Sequence, residues 1–242
     1  MRVLVLSDIH ANLAALNHVL EEAGDVDAIW CLGDVVGYGP DPNTCVDRLR
    51  ELRPEHWLAG NHDWAALGKL EIADFNPMAR LAALWTREQL TPANISFLHT
   101  LPASVKASEQ FTLAHGSPRH PIWEYVLDTR TAAANFAHFD TPYCLVGHTH
   151  VPVIYRHKNG HVDAPAYTLG EPIELGDGRL IINPGGVGQP RDGDPRASYL
   201  ILDTEGLAVT YHRVAYPIQE TQARMSAAGL PPRLITRLNY GW

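Results

Sequence analysis

Three short apolar runs, separated by two stretches of helical periodicity, constrain this chain more than any other feature. The runs are Val3–Leu6, Ala28–Leu32 and His56–Ala59. They are too short for buried helices and partly β-branched or aromatic, so they read as strands. Between the first two, Asn12–Ala23 carries Leu13, Leu16, Val19 and Leu20 at helical spacing, with Asn12 placed to cap it. Between the second and third, Thr44–Leu52 puts Val46, Leu49 and Leu52 on one face. A β-α-β-α-β alternation of this kind predicts a parallel sheet with crossover helices.

The pattern changes further along. Residues 64–101 are helical in character, with helices expected at Met78–Leu90 and Pro92–Leu98. Strands are then expected at Val105–Ala107, Phe111–Ala114, Tyr143–Val146, Val153–Tyr155, Arg179–Ile182, Ser198–Leu202 and Ala208–Val214. Asp128–Ala137 reads as a helix, and the C-terminal stretch carries two weak helical patterns separated by Pro231-Pro232. These pieces make two sheets' worth of strands in an α/β chain. No repeat, linker or low-complexity segment divides residues 1–242, which read as a single domain long enough to hold a substantial core.

Composition removes several classes of function. The formal net charge is −8, against a basic surface that would hold nucleic acid non-specifically. Cys31, Cys45 and Cys144 are widely spaced and include no CxxC, so neither a disulfide framework nor a thiolate zinc site is expected. Free thiols suit a reducing cytoplasm. Val3–Leu6 is too short for a signal-peptide core, and no apolar stretch is long enough to span a membrane.

The polar clusters that follow the apolar runs carry the chemistry. They are Asp8-Ile9-His10, Gly33-Asp34, Gly60-Asn61-His62-Asp63, Ala114-His115-Gly116 and Gly147-His148-Thr149-His150. Asp, His and Asn side chains are ligands for hard and borderline divalent metals. Clusters at five strand ends point to one site built from five loops, and seven candidate ligands are enough for two ions. Two ions in turn point to phosphate-ester hydrolysis. If the loops stay extended, Asp8 and His10 face one ion, and so do His148 and His150; if the second loop turns, its histidines face different ions. Asp34, on a tight exit from a buried strand, is suited to bridging two metals with its two oxygens.

This ordered series, spanning residues 8–150, resembles the calcineurin-like metallophosphoesterases. Gly37-Tyr38-Gly39-Pro40 and Asn183-Pro184-Gly185 make the rest of the chain similar to their small single-domain bacterial and archaeal branch, which includes phosphodiesterases. The resemblance implies a four-layer α/β/β/α sandwich of two mixed sheets flanked by helices. It assigns Asp8, His10, Asp34 and His150 to one metal, and Asp34, Asn61, His115 and His148 to the other. It gives His62 the role of general acid or phosphate-oxygen donor, with Asp63 behind it as its orienting group. Plain helix capping is the competing account of Asp63. The branch often has Gly where this chain has Ala11, and Ser where it has Gly186; neither position is a ligand, so both bear on substrate fit.

The expected activity is hydrolysis of a small phosphate ester such as a nucleotide, a diester in preference to a monoester. Manganese is the first choice of metal, with iron, zinc or nickel also suited to the donor set. The competing enzyme readings are phosphomonoesterase and protein phosphatase. The competing reading of another class is a non-catalytic scaffold of the same fold. Asn12, Tyr38, Arg119 and Arg191 are the candidate substrate contacts. For Tyr38 the alternative is turn structure, and for Arg191 an ion pair with Asp192 or Asp194.

Overall fold

The computed structural model describes residues 1–242. Two six-stranded mixed sheets stack face to face, with helices on their outer faces. The first sheet contains β1 (Arg2–Leu6), β2 (Ala28–Cys31), β3 (His56–Trp57), β9 (Ile173–Glu174), β11 (Ala197–Asp203) and β12 (Ala208–Val214), in the order β3-β2-β1-β11-β12-β9. The second contains β4 (Ser104–Lys106), β5 (Phe111–Ala114), β6 (Tyr143–Val146), β7 (Val153–Lys158), β8 (His161–Asp163) and β10 (Arg179–Asn183), in the order β4-β5-β6-β10-β7-β8. The expected parallel unit is present as β1, β2 and β3, and β11 runs antiparallel to β1 on its other side. The short strands β8 and β9 were not expected; neither has the apolar alternation that marks a strand in isolation.

The alternation of β1 explains the layering. Val3 and Val5 point into the space between the sheets, where they meet Phe111, Leu113, Leu145 and Ile182. Leu4 and Leu6 point the other way, against Leu16, Val19, Val46 and Leu49 of helices α1 (Leu13–Ala23) and α2 (Pro42–Leu52). Successive strand residues face opposite sides, so a strand buried on both faces must be apolar throughout. Burying each such side chain contributes roughly 1.5–3 kcal/mol. On the outer face of the second sheet, Cys144, Val146 and Ile181 pack against Ala132 of α6 (Thr129–Asn135) and Phe136.

A third apolar cluster covers one end of the sandwich. It joins Tyr38, Ala65 of α3 (Asn61–Ala66) and Ala79, Ala82 and Ala83 of α4 (Pro77–Gln89) to Met225, Leu234 and Leu238. Met225 lies on α7 (Ile218–Ala227) and Leu234 on α8 (Pro232–Thr236). The remaining helix, α5 (Pro92–Leu98), matches its expected span. The two weak C-terminal patterns are therefore helices that fold back over the end where the polar clusters gather. No helix is long and apolar enough to cross a membrane.

Candidate metal centre

Strand register brings the five clusters together. In the first sheet Leu6 pairs with Cys31 and Cys31 with Trp57, so the chain leaves β1, β2 and β3 at one level. In the second sheet Ala114 pairs with Val146, so His115 and Gly147-His148 also emerge side by side. Backbone bonds then join the loops: Asp8 N donates to Gly33 O at 3.0 Å, His10 N to Asp34 O at 2.9 Å and Gly147 N to His115 O at 2.7 Å.

The loops are strained where they present their side chains. Asp8, His10, Ala11, Asp34, Tyr38, His148 and His150 all have φ between 47° and 66°. Left-handed backbone at a non-glycine residue costs of order 1–3 kcal/mol and persists only where the surroundings over-determine it. The extended geometry expected for Asp8-Ile9-His10 is thus corrected, and of the two alternatives for His148-Thr149-His150 the turned one holds. His148 and His150 consequently face different groups. The side-chain atoms of Asp8, His10 and His150 converge in one group, and those of Asp34, His115 and His148 in another, with the ligand atoms of each within 4.8 Å of one another. Close approach leaves no room for side chains elsewhere in these loops. A Cβ on Gly60 would lie 2.0 Å from Asp34 Oδ1, and one on Gly147 2.0 Å from Ser7 Oγ.

Each of the two carboxylates has one oxygen pinned and one bare. Asp8 Oδ2 accepts from Ser7 Oγ at 2.6 Å and His148 N at 3.0 Å; Asp34 Oδ1 accepts from His62 N at 2.8 Å. Asp8 Oδ1 and Asp34 Oδ2 are buried and lack a hydrogen-bond partner. Histidine nitrogens surround them: His150 Nε2 is 3.2 Å from Asp8 Oδ1, and His115 Nε2 and His10 Nε2 are 3.4 and 3.8 Å from Asp34 Oδ2.

The histidine tautomers follow from their outer partners. Nδ1 of His10, His115 and His150 lies 3.2, 2.9 and 2.5 Å from the carbonyl oxygens of Val36, Leu32 and Gln189. A carbonyl only accepts, so each Nδ1 carries a hydrogen, and the neutral rings of His10 and His150 turn an Nε2 lone pair inward. His10 Nε2 and His150 Nε2 then face each other at 3.1 Å, and His115 Nε2 faces Asn61 Oδ1 at 3.2 Å. Opposed lone pairs beside bare carboxylate oxygens, all buried, require a cation. The residues present fit a pair of divalent ions.

Protonation in the ion-free protein shows the same demand. His115 is raised to about 9: burial opposes its charge, but Asp34 outweighs burial. Burial alone would raise Asp34, yet His115 and the other histidines bring it below the usual carboxylate range. Asp8 is raised to about 6 by burial, against the pull of His115. A proton on His115 thus occupies the place of a positive ion.

The remaining candidates separate clearly. His62, second residue of α3, packs its ring 4.2 Å from Tyr38 and 4.9 Å from His10 between ring centroids, beside the centre. Its Nδ1 is buried without a partner, and burial lowers the ring to about 4. Asp63 does not orient it, which corrects that expectation. The Asp63 carboxylate instead accepts from the backbone N–H groups of Asp34 and Gly60 at 2.9 Å and Val36 at 3.0 Å. The helical backbone points Asp63 back toward β2, away from the ring beside it in sequence. Burial, then the charge of Asp34, raise Asp63 to about 7 against the pull of those amides.

Asn12 is also corrected as a substrate contact. Its oxygen accepts from Ala15 N at 3.2 Å and Thr221 Oγ1 at 2.9 Å, and its amide donates to Gly188 O at 2.9 Å. It caps α1 and ties the first loop to α7. Arg119 is engaged by Glu124, which also accepts from Ser117 and Asn135, so its guanidinium is not free for substrate. Arg191 differs: Asp192 pairs with Arg213 and Asp194 with Arg196, leaving Arg191 with its guanidinium 5.8 Å from the Tyr38 ring centroid. Ala11 stands in left-handed backbone that a glycine would adopt freely, and a Cβ at Gly186 would press to 3.0 Å on His150 Cβ. Sequence reading missed Tyr125, stacked on His148 at 3.9 Å between centroids, and Arg237 near Arg191. Neither lies in a motif; only the fold brings them in.

Two stacked mixed sheets with paired His/carboxylate groups at their strand ends define a metal-dependent phosphoesterase. The chain belongs to the calcineurin-like phosphoesterase superfamily, whose domain model matches residues 1–207. It is similar to a metallophosphoesterase from Sphaerobacter thermophilus, at 51% identity and a TM-score of 0.90 over 100% of this chain and 99% of that one. Uncharacterized protein MJ0912 of Methanocaldococcus jannaschii is 36% identical over 248 residues, covering 99% of this chain and 98% of that protein. Hypothetical protein PH1004 from Pyrococcus horikoshii OT3 shares the fold, at 21% identity and a TM-score of 0.81 over 100% of this chain and 98% of that one. The family implies a dinuclear divalent metal centre and a phosphate-ester substrate.

Proposed function

We propose that this chain is a phosphodiesterase that hydrolyses a small phosphate ester such as a nucleotide. The observation that carries the metal chemistry is the set of buried, opposed electron pairs: Asp8 Oδ1, Asp34 Oδ2 and the Nε2 atoms of His10 and His150, with a His115 proton held beside Asp34 where a cation would sit. Asp8, His10, Asp34 and His150 would hold one ion; Asp34, Asn61, His115 and His148 would hold the other. The bare oxygen of Asp34 lies within 3.8 Å of histidines from both groups, which supports its role as the bridge. When bound, such ions acidify water toward neutrality and take up charge on phosphoryl oxygens.

The protein's own groups do the rest. The carbonyls of Val36, Leu32 and Gln189 hold His10, His115 and His150 in their ligating tautomers. His62 sits beside the centre as a neutral ring at pH 7, so it offers an N–H to a phosphoryl or leaving-group oxygen. Phosphate anion beside the ring raises its affinity for a second proton and readies it as an acid. Phe75 and Trp123 pack in series from the His62 ring, and Tyr125 presents a 44% exposed face beyond His148. The exposed Tyr125 face supports the diester preference, since a diester brings a second substituent that needs a place to lie. Manganese is the metal we favour, iron, zinc and nickel suiting the same donors. Three buried free thiols support a cytoplasmic setting.

The test is hydrolysis of bis-p-nitrophenyl phosphate beside p-nitrophenyl phosphate with Mn²⁺ added, with His62→Ala as control. Metal-dependent turnover that favours the diester, and drops about 10²–10⁴-fold in the variant, is the expected result. Preference for the monoester would reject the phosphodiesterase reading, and no turnover of either ester with any divalent ion would reject catalysis.

A further inference from the structure

The cationic groups above the centre are more than a single phosphate needs. Arg191 makes one hydrogen bond, to Gln189 Oε1 at 3.2 Å, and its Nε is buried without a partner. The acidic residues next to it in sequence are taken: Asp192 by Arg213 and Asp194 by Arg196. Its guanidinium faces the Tyr38 ring and the Tyr125 hydroxyl, and both tyrosines pack on histidines of the centre.

Arg237 arrives from the other direction, on the C-terminal segment. Its neighbour Leu238 packs with Tyr38, and Leu238, Tyr38, Gln189 and His10 line one small cavity. No Asp or Glu side chain lies within ion-pair distance of Arg237; its one hydrogen bond runs from Nε to O of Trp242, the last residue of the sequence. Burial, then the adjacent positive charge of Arg191, lower the Arg237 guanidinium to about 10. Two half-buried cations held beside each other, with no acidic side chain on either and only a chain-terminal oxygen on one, leave room for a further anion to join them. Two divalent ions carry four charges against two from Asp8 and Asp34, so the arginines are not needed to balance the centre. They make the whole mouth of the site suited to a polyanion.

We infer that Arg191 and Arg237, with Tyr38 between them and the centre, form a subsite for a second phosphate, so that the substrate is an organic phosphate carrying at least two phosphate groups. This rests on the phosphohydrolase reading above and names its substrate class. Guanidinium groups bind phosphate oxygens through paired, charge-assisted hydrogen bonds. The exposed face of Tyr125 is placed to receive a planar base beside them.

The experiment compares two esters with the same scissile bond: thymidine 5′-(p-nitrophenyl phosphate) and its 3′-phosphorylated derivative. The readout is the ratio of their kcat/KM values within each protein. The expected ratio is at least about tenfold in favour of the 3′-phosphorylated ester, expressed in KM, since one charge-assisted bond is worth that much. Arg191→Gln and Arg237→Gln each bring the ratio toward one, and Arg191→Lys retains part of it. Calorimetric binding of thymidine 3′,5′-bisphosphate against thymidine 5′-monophosphate gives the same comparison without turnover. Tighter binding of the bisphosphate, lost in the Gln variants, supports the subsite even if neither ester is hydrolysed, in which case the phosphohydrolase reading alone fails. Equal binding of the two nucleotides by the unaltered protein, or a preference untouched by both Gln variants, overturns the subsite.

Discussion

Replacing Asp63 separates a structural role from a catalytic one at a residue next to the candidate acid. In the structure its two oxygens accept from three buried backbone amides, on Asp34, Val36 and Gly60. Asp63→Ala leaves all three without a partner. At about 1–3 kcal/mol for each buried donor left unsatisfied, the expected loss is about 3–9 kcal/mol, a large part of the 5–15 kcal/mol of an ordinary domain. Asp63→Asn is gentler. With its amide oxygen turned to Asp34 N and Gly60 N, only the bond from Val36 N is lost, at about 1–3 kcal/mol. The assay is urea unfolding of the ion-free protein, followed by tryptophan fluorescence, at pH 6 and pH 8. Asp63 is raised to about 7 in the folded protein, so the fold favours its protonated form. Stability from this group is therefore fully present at low pH and declines as pH rises through about 7, so both variants lose more at pH 6 than at pH 8. Unchanged stability in Asp63→Asn, combined with slow turnover and a displaced pH–rate profile, would refute this reasoning and return Asp63 to a role behind His62.

Three other outcomes follow from the same geometry. Asp34→Asn removes the charge shared by both histidine groups, so metal content measured by plasma mass spectrometry falls below that of the parent, whereas His62→Ala keeps it; unchanged content in Asp34→Asn would sink the bridge. Because His115 is raised to about 9 in the ion-free protein, metal loading at pH 7.5 releases about one proton from it. Calorimetry in buffers of different ionisation enthalpy measures that release, and none would contradict the assignment. Finally, Arg119, Asn135 and Ser117 lower Glu124 to about 2 despite its burial. Its ionised form adds stability above the ordinary carboxylate range, lost as pH falls toward 2, so Glu124→Gln is less stable than the parent at pH 7 and equal to it near pH 2.

Much of the fold was legible because strand and helix patterns are local. The apolar Val3–Leu6 run of β1 and the helical spacing of Leu13, Leu16 and Val19 state their own burial, and the strands at Phe111–Ala114, Tyr143–Val146 and Ala208–Val214 lie where their apolar patterns put them. The strands β8 and β9 were not legible, since their pairing comes from neighbours rather than from their own residues. The candidate ligands were legible because each follows a strand, and strands in register deliver their next residues to one place.

The sequence by itself determined which side chains gather at the centre and that the chain folds into two stacked sheets. The tertiary structure decided how those side chains divide and which charges remain free. His148 and His150 part company because their backbone turns through left-handed conformations, a strain no local pattern announces. Asp63 clamps two loops together instead of serving His62, because it faces amides that lie 3 to 29 positions away in the chain. Arg119 is taken by Glu124, whereas Arg191 stays open because Asp192 and Asp194 find other arginines. Hydrogen bonds and ion pairs depend on distances of a few ångströms between residues remote in sequence, and only the folded chain fixes those distances.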